Sequence, residues 1–97
     1  MTRQENITKM HELALDFIRQ RNAVELKQTV QKIVTLANSF KYSTSGKVYP
    51  ILIPTYANNL LANIQGIVDG SIDPEVDQEI QDALVIFENI AESSIDN

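Results

Sequence analysis

The stretch from Pro50 to Glu92, PILIPTYANNLLANIQGIVDGSIDPEVDQEIQDALVIFENIAE, decides the fold, because two helical patterns flank one group of turn-forming residues. In the first pattern, apolar residues recur at spacings of 4, 3, 4 and 3: Ile53, Ala57, Leu60, Ile64 and Ile67. The second pattern repeats this rhythm with Val76, Ile80, Ala83, Phe87 and Ile90. Since an α-helix has about 3.6 residues per turn, each set lies along one side of a helix. The stretch therefore predicts two amphipathic helices folded into a hairpin.

The residues between the two patterns are typical of a helix end followed by a helix start. Gly70 suits the left-handed position after a helix, because glycine has no Cβ to clash there. Asp73 suits an N-cap, and Pro74 suits the first helical position, where its missing N–H has no partner to lose. The sequence thus predicts that the last helix begins at Pro74.

The first half of the chain predicts a second pair of helices. The first has an apolar stripe of Ile7, Met10, Ala14 and Phe17, and the second has one of Leu26, Val30, Ile33, Ala37 and Phe40. Thr2 and Glu5 have the spacing of a capping box, which would start the first helix early. Asn22 offers an N-cap for the second, so we expect a short break at positions 21–22.

These patterns predict an all-α single domain over residues 1–97, an antiparallel up-down-up-down four-helix bundle. The predicted helices cover about 6–20, 23–40, 53–68 and 74–92. A proline deep inside a helix costs about 3 kcal/mol, so Pro54 is placed near the start of helix 3, with residues 48–52 extended or turned. Residues 42–47 are rich in turn formers and predict a loop, and residues 93–97 are expected to fray.

Composition indicates an ordinary globular protein that stays inside the cell. The 97 residues are 43% hydrophobic and 22% charged, which suits one domain with one core. The chain contains no cysteine, so disulfides and thiolate metal sites are excluded. No run approaches the ~18 apolar residues of a membrane span, and the first residues do not resemble a signal peptide. We therefore expect a cytoplasmic protein.

Charge is divided sharply between the two halves. The first 47 residues contain all eight Lys and Arg residues and four acids, a net charge of +4. The remaining fifty contain nine acids and no Lys or Arg, a net charge of −9. Such an asymmetry concerns partners and solubility more than fold.

The acidic residues of the second hairpin are the candidate partner-binding site. Its members lie around the turn and along helix 4: Asp69, Ser71, Asp73, Glu75, Glu79 and Asp82. Glu75, Glu79 and Asp82 would form one stripe on the polar face of helix 4, where like charges repel by a few tenths of a kcal/mol per pair. Two interpretations remain open: pairing with the basic first half across the bundle, or an outward face that docks a cationic partner.

No pattern predicts an enzyme, a metal site or a cofactor. His11 is the only histidine and has no partner ligand nearby, so a surface position is expected. The acids near the turn lack the spacing of a calcium loop and are explained by helix capping. Ser43–Lys47 lacks the glycine spacing of a phosphate loop. The net charge of −5 disfavours nucleic-acid binding.

The chain resembles the immunity proteins of the enterocin A type, which protect lactic acid bacteria from pediocin-like (class IIa) bacteriocins. The resemblance covers nearly the whole chain, as four helices in about a hundred residues. It is strongest at Val48-Tyr49-Pro50-Ile51-Leu52-Ile53, at the helix with Leu60, Leu61 and Ile64, at the 69–73 turn, and at Ile80, Leu84 and Phe87. Several members are basic, whereas the second half of this chain is acidic.

This resemblance implies an antiparallel four-helix bundle that confers resistance to an antimicrobial peptide from the cytoplasmic side. The implied partner is the membrane permease of the mannose phosphotransferase system with bacteriocin bound, and the C-terminal half is implied to decide which bacteriocins are resisted. The acidic surface would then be the specificity surface, and the basic first half could contact anionic lipid at the inner face of the membrane. The alternative is a non-enzymatic helical adaptor or regulatory subunit that docks a cationic protein.

Overall fold

The computed structural model describes residues 1–43 and 49–96, and it confirms the all-α bundle. Within these residues the elements are α1 (Arg3–Arg19), α2 (Ala23–Ser39), β1 (Lys41–Tyr42), α3 (Tyr49–Asp69), α4 (Gln78–Glu92) and β2 (Ser94–Ile95). Each helix packs against the next, and α4 packs against α1, so the four helices close into a ring. The bundle measures 41 × 21 × 20 Å.

Contacts along α1 and α4 show that these two helices run in opposite directions. The side chain of Arg3, at the start of α1, donates to the carbonyl of Glu92 at the end of α4 (2.6 Å). Further along α1, His11 lies 3.0 Å from Glu88, earlier in α4. The ends of α2 and α4 lie at this same end of the bundle, since β1 and β2, which follow them, pair as antiparallel strands.

The predicted stripes form the core, except that Ile7 of α1 is only half-buried against it and Val76 lies outside it. The predicted inward residues of α2 and α3 are all buried, as are Met10, Ala14 and Phe17 of α1. In α4, Ile80, Ala83, Phe87 and Ile90 are buried, but the side chain of Val76 is 74% exposed. Val76 was predicted to begin this stripe and lies instead in the turn before α4.

The predicted caps of α1 and α2 are confirmed, although α1 begins three residues before its predicted start at about residue 6. Thr2 forms the capping box with Glu5, each side chain bonding the backbone amide of the other residue, so α1 begins at Arg3. The side chain of Asn22 accepts from the amides of Val24 and Glu25 at the start of α2. These bonds satisfy amides that the first helical turn leaves without partners.

The predicted start of α3 is wrong, because the helix begins at Tyr49 rather than near Ile53. Residues 49–52 are helical, and Pro54 lies inside the helix rather than in its first turn. Pro54 has no N–H to donate to the carbonyl of Pro50, so one helical hydrogen bond is lost. Its ring is exposed and does not disturb the side of α3 that faces the core. Tyr49 packs against the core and Ile53 is buried, which offsets that loss.

The predicted start of α4 is also wrong. The helix begins at Gln78, and Asp77 is its N-cap, with its carboxylate accepting from the amide of Ile80 (3.1 Å). Asp73 accepts from the amide of Glu75 and its carbonyl accepts from Asp77, so residues 74–76 form an isolated turn. Pro74 is buried within that turn. The left-handed conformation expected at Gly70 is confirmed, with φ of +85°.

The segment after α4 was predicted to fray, and this prediction is wrong for residues 93–96. Ser94 and Ile95 pair with Tyr42 and Lys41, and Ser94 is only 2% exposed. The amide of Arg3 donates to the carboxylate of Asp96 (2.6 Å), so the last described residues also cap α1. The predicted loop at 42–47 begins as β1 at Tyr42, and its residues 44–47 lie outside the described residues.

Candidate functional site: the acidic surface of the second hairpin

All six predicted partner-binding residues are exposed on the α3–α4 hairpin, here called the acidic surface: Asp69, Ser71, Asp73, Glu75, Glu79 and Asp82. They divide into two groups. Four lie at the tip of the hairpin, between the last residue of α3 and the turn before α4, and two lie on α4. The predicted stripe of Glu75, Glu79 and Asp82 along one helix is therefore corrected, because Glu75 precedes α4.

At the tip, the carboxylates are held by the backbone of the turn. Asp69 accepts from the amide of Ser71 (2.9 Å), and Asp73 accepts from the amide of Glu75 (3.0 Å). Hydrogen bonds from the hydroxyl of Ser71, and then from its amide, lower the pKa of Asp69 because they stabilise its charged form. The tip therefore presents oriented negative charge at Asp69 and Asp73, and Glu75 is exposed in the same turn.

On α4, the two carboxylates bond to amide side chains. The Nδ2 of Asn63 on α3 donates to Glu79 (2.8 Å), and the Nε2 of Gln78 donates to Asp82 (2.6 Å). An amide donor fixes the direction of a carboxylate without neutralising its charge. These bonds therefore position two negative charges that stay available to a partner.

Pairing of the acidic surface with the basic first half does not occur among the described residues. Within residues 1–43 and 49–96 the one contact with ion-pair geometry joins His11 to Glu88, which is outside the acidic surface, and both sides of this contact are charged only when His11 is protonated. The geometry explains why: α3, which adjoins α4 on the side of Glu79, supplies Asn63 rather than a cation. His11 is exposed, as expected from the sequence.

The two most constrained cations of the first half serve helix ends. Arg3 bonds the carbonyl of Glu92, and Arg21 donates to the carbonyls of Ile18 and Gln20 at the end of α1. By contrast, Lys27, Lys32 and Lys41 are exposed and make no ion pair with any described residue.

A shallow groove of about 400 Å³ lies beside the tip, at the end of the bundle where α1 meets α2. The charged residues of its lining are Arg21, Asp73 and Glu75. Its apolar lining comes from Ile67, Val68, Ile72 and Pro74. A long aliphatic side chain with a charged end could lie in such a groove, since its stem would cover apolar surface.

Three contributions to this site were not predicted. Asn63 and Gln78 orient Glu79 and Asp82, and Asp77 rather than Asp73 caps α4. The Asp77–Ile80 spacing is that of an N-cap and is visible in the sequence. The bond from Asn63 crosses between helices, so no local pattern indicates it.

Further features limit the kinds of site that the described residues form. No group of three His, Asp or Glu side chains within residues 1–43 and 49–96 is arranged to hold a metal ion. Across that same part of the chain, no helix combines the length and apolar character needed to cross a membrane.

In comparisons with known proteins, no family model, curated protein or solved structure matches the chain.

Proposed function

We propose that this chain is a non-enzymatic binding protein whose acidic surface docks a cationic partner. More specifically, its resemblance to immunity proteins supports protection of a bacteriocin-producing cell against a pediocin-like peptide. The observation that carries the docking proposal is that all six residues are exposed and none of the carboxylates is paired with a Lys or Arg of the described chain.

Charge complementarity supports the kind of partner. The fifty residues after position 47 have a net charge of −9, and a negative field of this kind attracts cationic surfaces. Such a field mainly raises the rate of encounter and excludes wrong partners, since rim charges add little to affinity. Specificity within the docked complex would come from the fixed carboxylates of Asp69, Asp73 and Glu79.

Two cationic partners suit the immunity proposal. Cytoplasmic loops of membrane proteins are enriched in Lys and Arg, which suits the mannose phosphotransferase permease named by the resemblance. Pediocin-like peptides are themselves cationic as a family. In this proposal the protein works in the cytoplasm, at the inner face of the membrane. Exposed Lys27, Lys32 and Lys41 could add about 1 kcal/mol each of attraction to anionic lipid.

A protection assay with matched charge reversals tests the proposal. The test variant is Glu75→Lys, Glu79→Lys and Asp82→Lys, and the control is Glu12→Lys, Asp16→Lys and Glu25→Lys on α1 and α2. Both variants change the net charge by the same amount at exposed positions. Expressed in a bacteriocin-sensitive strain, the wild type and the control should protect, and the test variant should lose protection.

The possible results separate the acidic surface from the immunity function. Full protection by a test variant that retains its helical circular dichroism would rule out docking through this surface. If the wild type protects against no pediocin-like peptide, the immunity function is wrong. In that event, binding of the wild type but not the test variant to a polylysine surface would support the adaptor alternative.

A further inference from the structure

The outer surface of α3 differs from every other helix surface in the described bundle, because its one charged residue is Asp69 at the very end of the helix. Residues 49–68 include no Asp, Glu, Lys or Arg, although 22% of the chain is charged. Twenty helical residues extend about 30 Å. The exposed side chains of this uncharged face are Ile51, Pro54, Thr55, Asn58, Leu61, Ala62, Gln65 and Val68.

Six of these side chains repeat at spacings of 3, 4, 3, 4 and 3: Ile51, Pro54, Asn58, Leu61, Gln65 and Val68. This is the spacing by which one helix packs along another in a coiled coil. Ile51 is 72% exposed, Leu61 42% and Val68 39%, so the stripe is apolar and accessible. α3 therefore has two stripes, one packed into the core and one without a partner among the described residues.

The polar members of this second stripe suit contact with an identical stripe. An amide side chain has both donors and an acceptor, so Asn58 or Gln65 can bond to the same residue of another copy. Residues 49–68 carry no charge, so like-charge repulsion between two such faces is confined to Asp69 at the end of α3. Self-association through α3 is therefore compatible with the chemistry of the face, despite the net charge of −5.

Charges on the two neighbouring helices indicate how a second copy would lie. α3 packs between α2 and α4. A twofold axis parallel to α3 places α2 of one copy opposite α4 of the other, whereas an axis perpendicular to α3 places α4 opposite α4. The second arrangement places two helices that contain acids and no Lys or Arg opposite each other and is repulsive. The first arrangement places α2, with its exposed Lys27, opposite α4 of the other copy.

The positions of the charges along the long axis of the bundle agree with the arrangement in which the twofold axis is parallel to α3. α2 and α4 begin at the same end of the bundle, as the pairing of the strands that follow them requires. Lys27 is the fifth residue of α2, and Asp82 is the fifth residue of α4. A twofold axis parallel to α3 keeps positions along the bundle axis unchanged, so Lys27 of each copy would lie within about one helical turn of the level of Asp82 of the other.

We propose that a second copy of this chain docks on the uncharged face of α3 in a parallel, twofold-symmetric dimer closed by reciprocal Lys27–Asp82 contacts. One helix stripe is a small interface, at the low end of the ~1,200–2,000 Å² of stable complexes. The dimer should therefore be weak, with Kd in the range of about 10 μM to 1 mM. Because Asp82 also belongs to the acidic surface, dimerisation and docking of a cationic partner would compete.

Sedimentation velocity of the full chain between 1 μM and 2 mM tests the proposal. The wild type should change from monomer to dimer across this range. Leu61→Glu, and separately Gln65→Glu, should raise Kd at least about tenfold, because each places like charges across the interface. Val24→Glu is the control, because Val24 is 63% exposed on α2 and lies outside the face.

A charge swap tests the orientation. Lys27→Glu and Asp82→Lys should each weaken the dimer, and the double variant should restore the wild-type Kd. A wild type that stays monomeric at 2 mM overturns the proposal. So does dimerisation that Leu61→Glu and Gln65→Glu leave unchanged while both variants remain folded. A dimer sensitive to those two variants but not restored by the double variant would overturn the parallel arrangement.

Discussion

Asn6 and Ser94, which are 88 residues apart in the chain, share a buried hydrogen bond of 3.0 Å from Asn6 Nδ2 to Ser94 Oγ. Asn6 is 1% exposed and Ser94 2% exposed. The hydroxyl of Ser94 donates in turn to the carbonyl of Ala91 (2.6 Å), whereas Asn6 Oδ1 has no partner in the described part of the chain. This pair holds the segment after α4 against α1.

Ser94→Ala should lower the free energy of unfolding by about 1–3 kcal/mol. The substitution removes the Ser94 oxygen that accepts from the buried Asn6 Nδ2, and a buried polar group without a partner costs about that much. Urea denaturation of the purified protein measures the effect. Ser39→Ala is the control, since Ser39 is exposed and its hydroxyl bonds only the carbonyl of Leu36. Equal effects of the two substitutions would show that the Asn6–Ser94 bond adds no special stability.

Gly66→Ala should destabilise the protein, although alanine is the better helix former by up to about 1 kcal/mol. The side chain of Ile72 lies against Gly66, and the amide of Ile72 donates to the carbonyl of Gly66 (3.0 Å). A Cβ at position 66 would collide with that side chain, and overpacking costs about 1–3 kcal/mol. In an Ile72→Ala background the same substitution should become neutral or stabilising. Thermal unfolding of the four proteins tests this, and a destabilisation that persists without Ile72 would contradict the packing explanation.

Ser71→Ala should raise the pKa of Asp69 toward its ordinary value. The hydroxyl of Ser71 contributes most to lowering that pKa, and its amide bond to Asp69 remains in the variant. A folded-state pKa below the unfolded value means that Asp69 stabilises the fold above the unfolded pKa and loses that contribution as pH falls. Carboxyl ¹³C NMR titration measures the shift. Glu5, whose pKa is lowered by Thr2 at the other end of the chain, provides an internal reference that should not move.

Tyr42 should ionise later than an ordinary tyrosine. Burial raises the pKa of Tyr42 to about 12, and its hydroxyl donates to the carbonyl of Ala37 (3.0 Å). Because the folded pKa exceeds the unfolded value, this group contributes stability below about pH 10 and loses it as pH rises toward 12. Tyr42→Phe should remove the last phenolate to appear in an alkaline absorbance titration. If Tyr42→Phe instead removes a phenolate that forms earlier in the titration, the assignment of the raised pKa to Tyr42 is wrong.

The core was predictable from the sequence because each inward residue belongs to a local repeat. Spacings of 3 and 4 identified the buried residues of α2 and α3 without any knowledge of the neighbours. The prediction that Val76 begins the buried stripe of α4 was wrong because the apolar repeat extends by one position into a segment that is not helical. Apolar spacing alone cannot show where a helix stops, so the caps decide it.

Features that depend on contacts between distant residues were not predictable. The pairing of Tyr42 with Ser94 joins the predicted loop to the predicted frayed end, and the bond between Asn6 and Ser94 joins α1 to that same end. The exposed acids of the candidate site were found because charge is visible in the sequence. The orientation of Glu79 by Asn63 was not predictable, because that bond crosses between α3 and α4.

The start of α4 gives the last prediction, because Asp73 and Asp77 were competing candidates for its N-cap. Asp77→Ala should lower the free energy of unfolding by about 0.5–2 kcal/mol, since Asp77 accepts from the amide of Ile80 at the start of the helix. Asp73→Ala should cost less, because the exposed amide of Glu75 that it releases can bond water instead.

Urea denaturation of both variants at pH 7 measures this difference. Each substitution removes one negative charge from the same turn, so their overall electrostatic effects are matched and the difference reports the cap. The reverse order, with Asp73→Ala the more costly, is the result required by a helix beginning at Pro74.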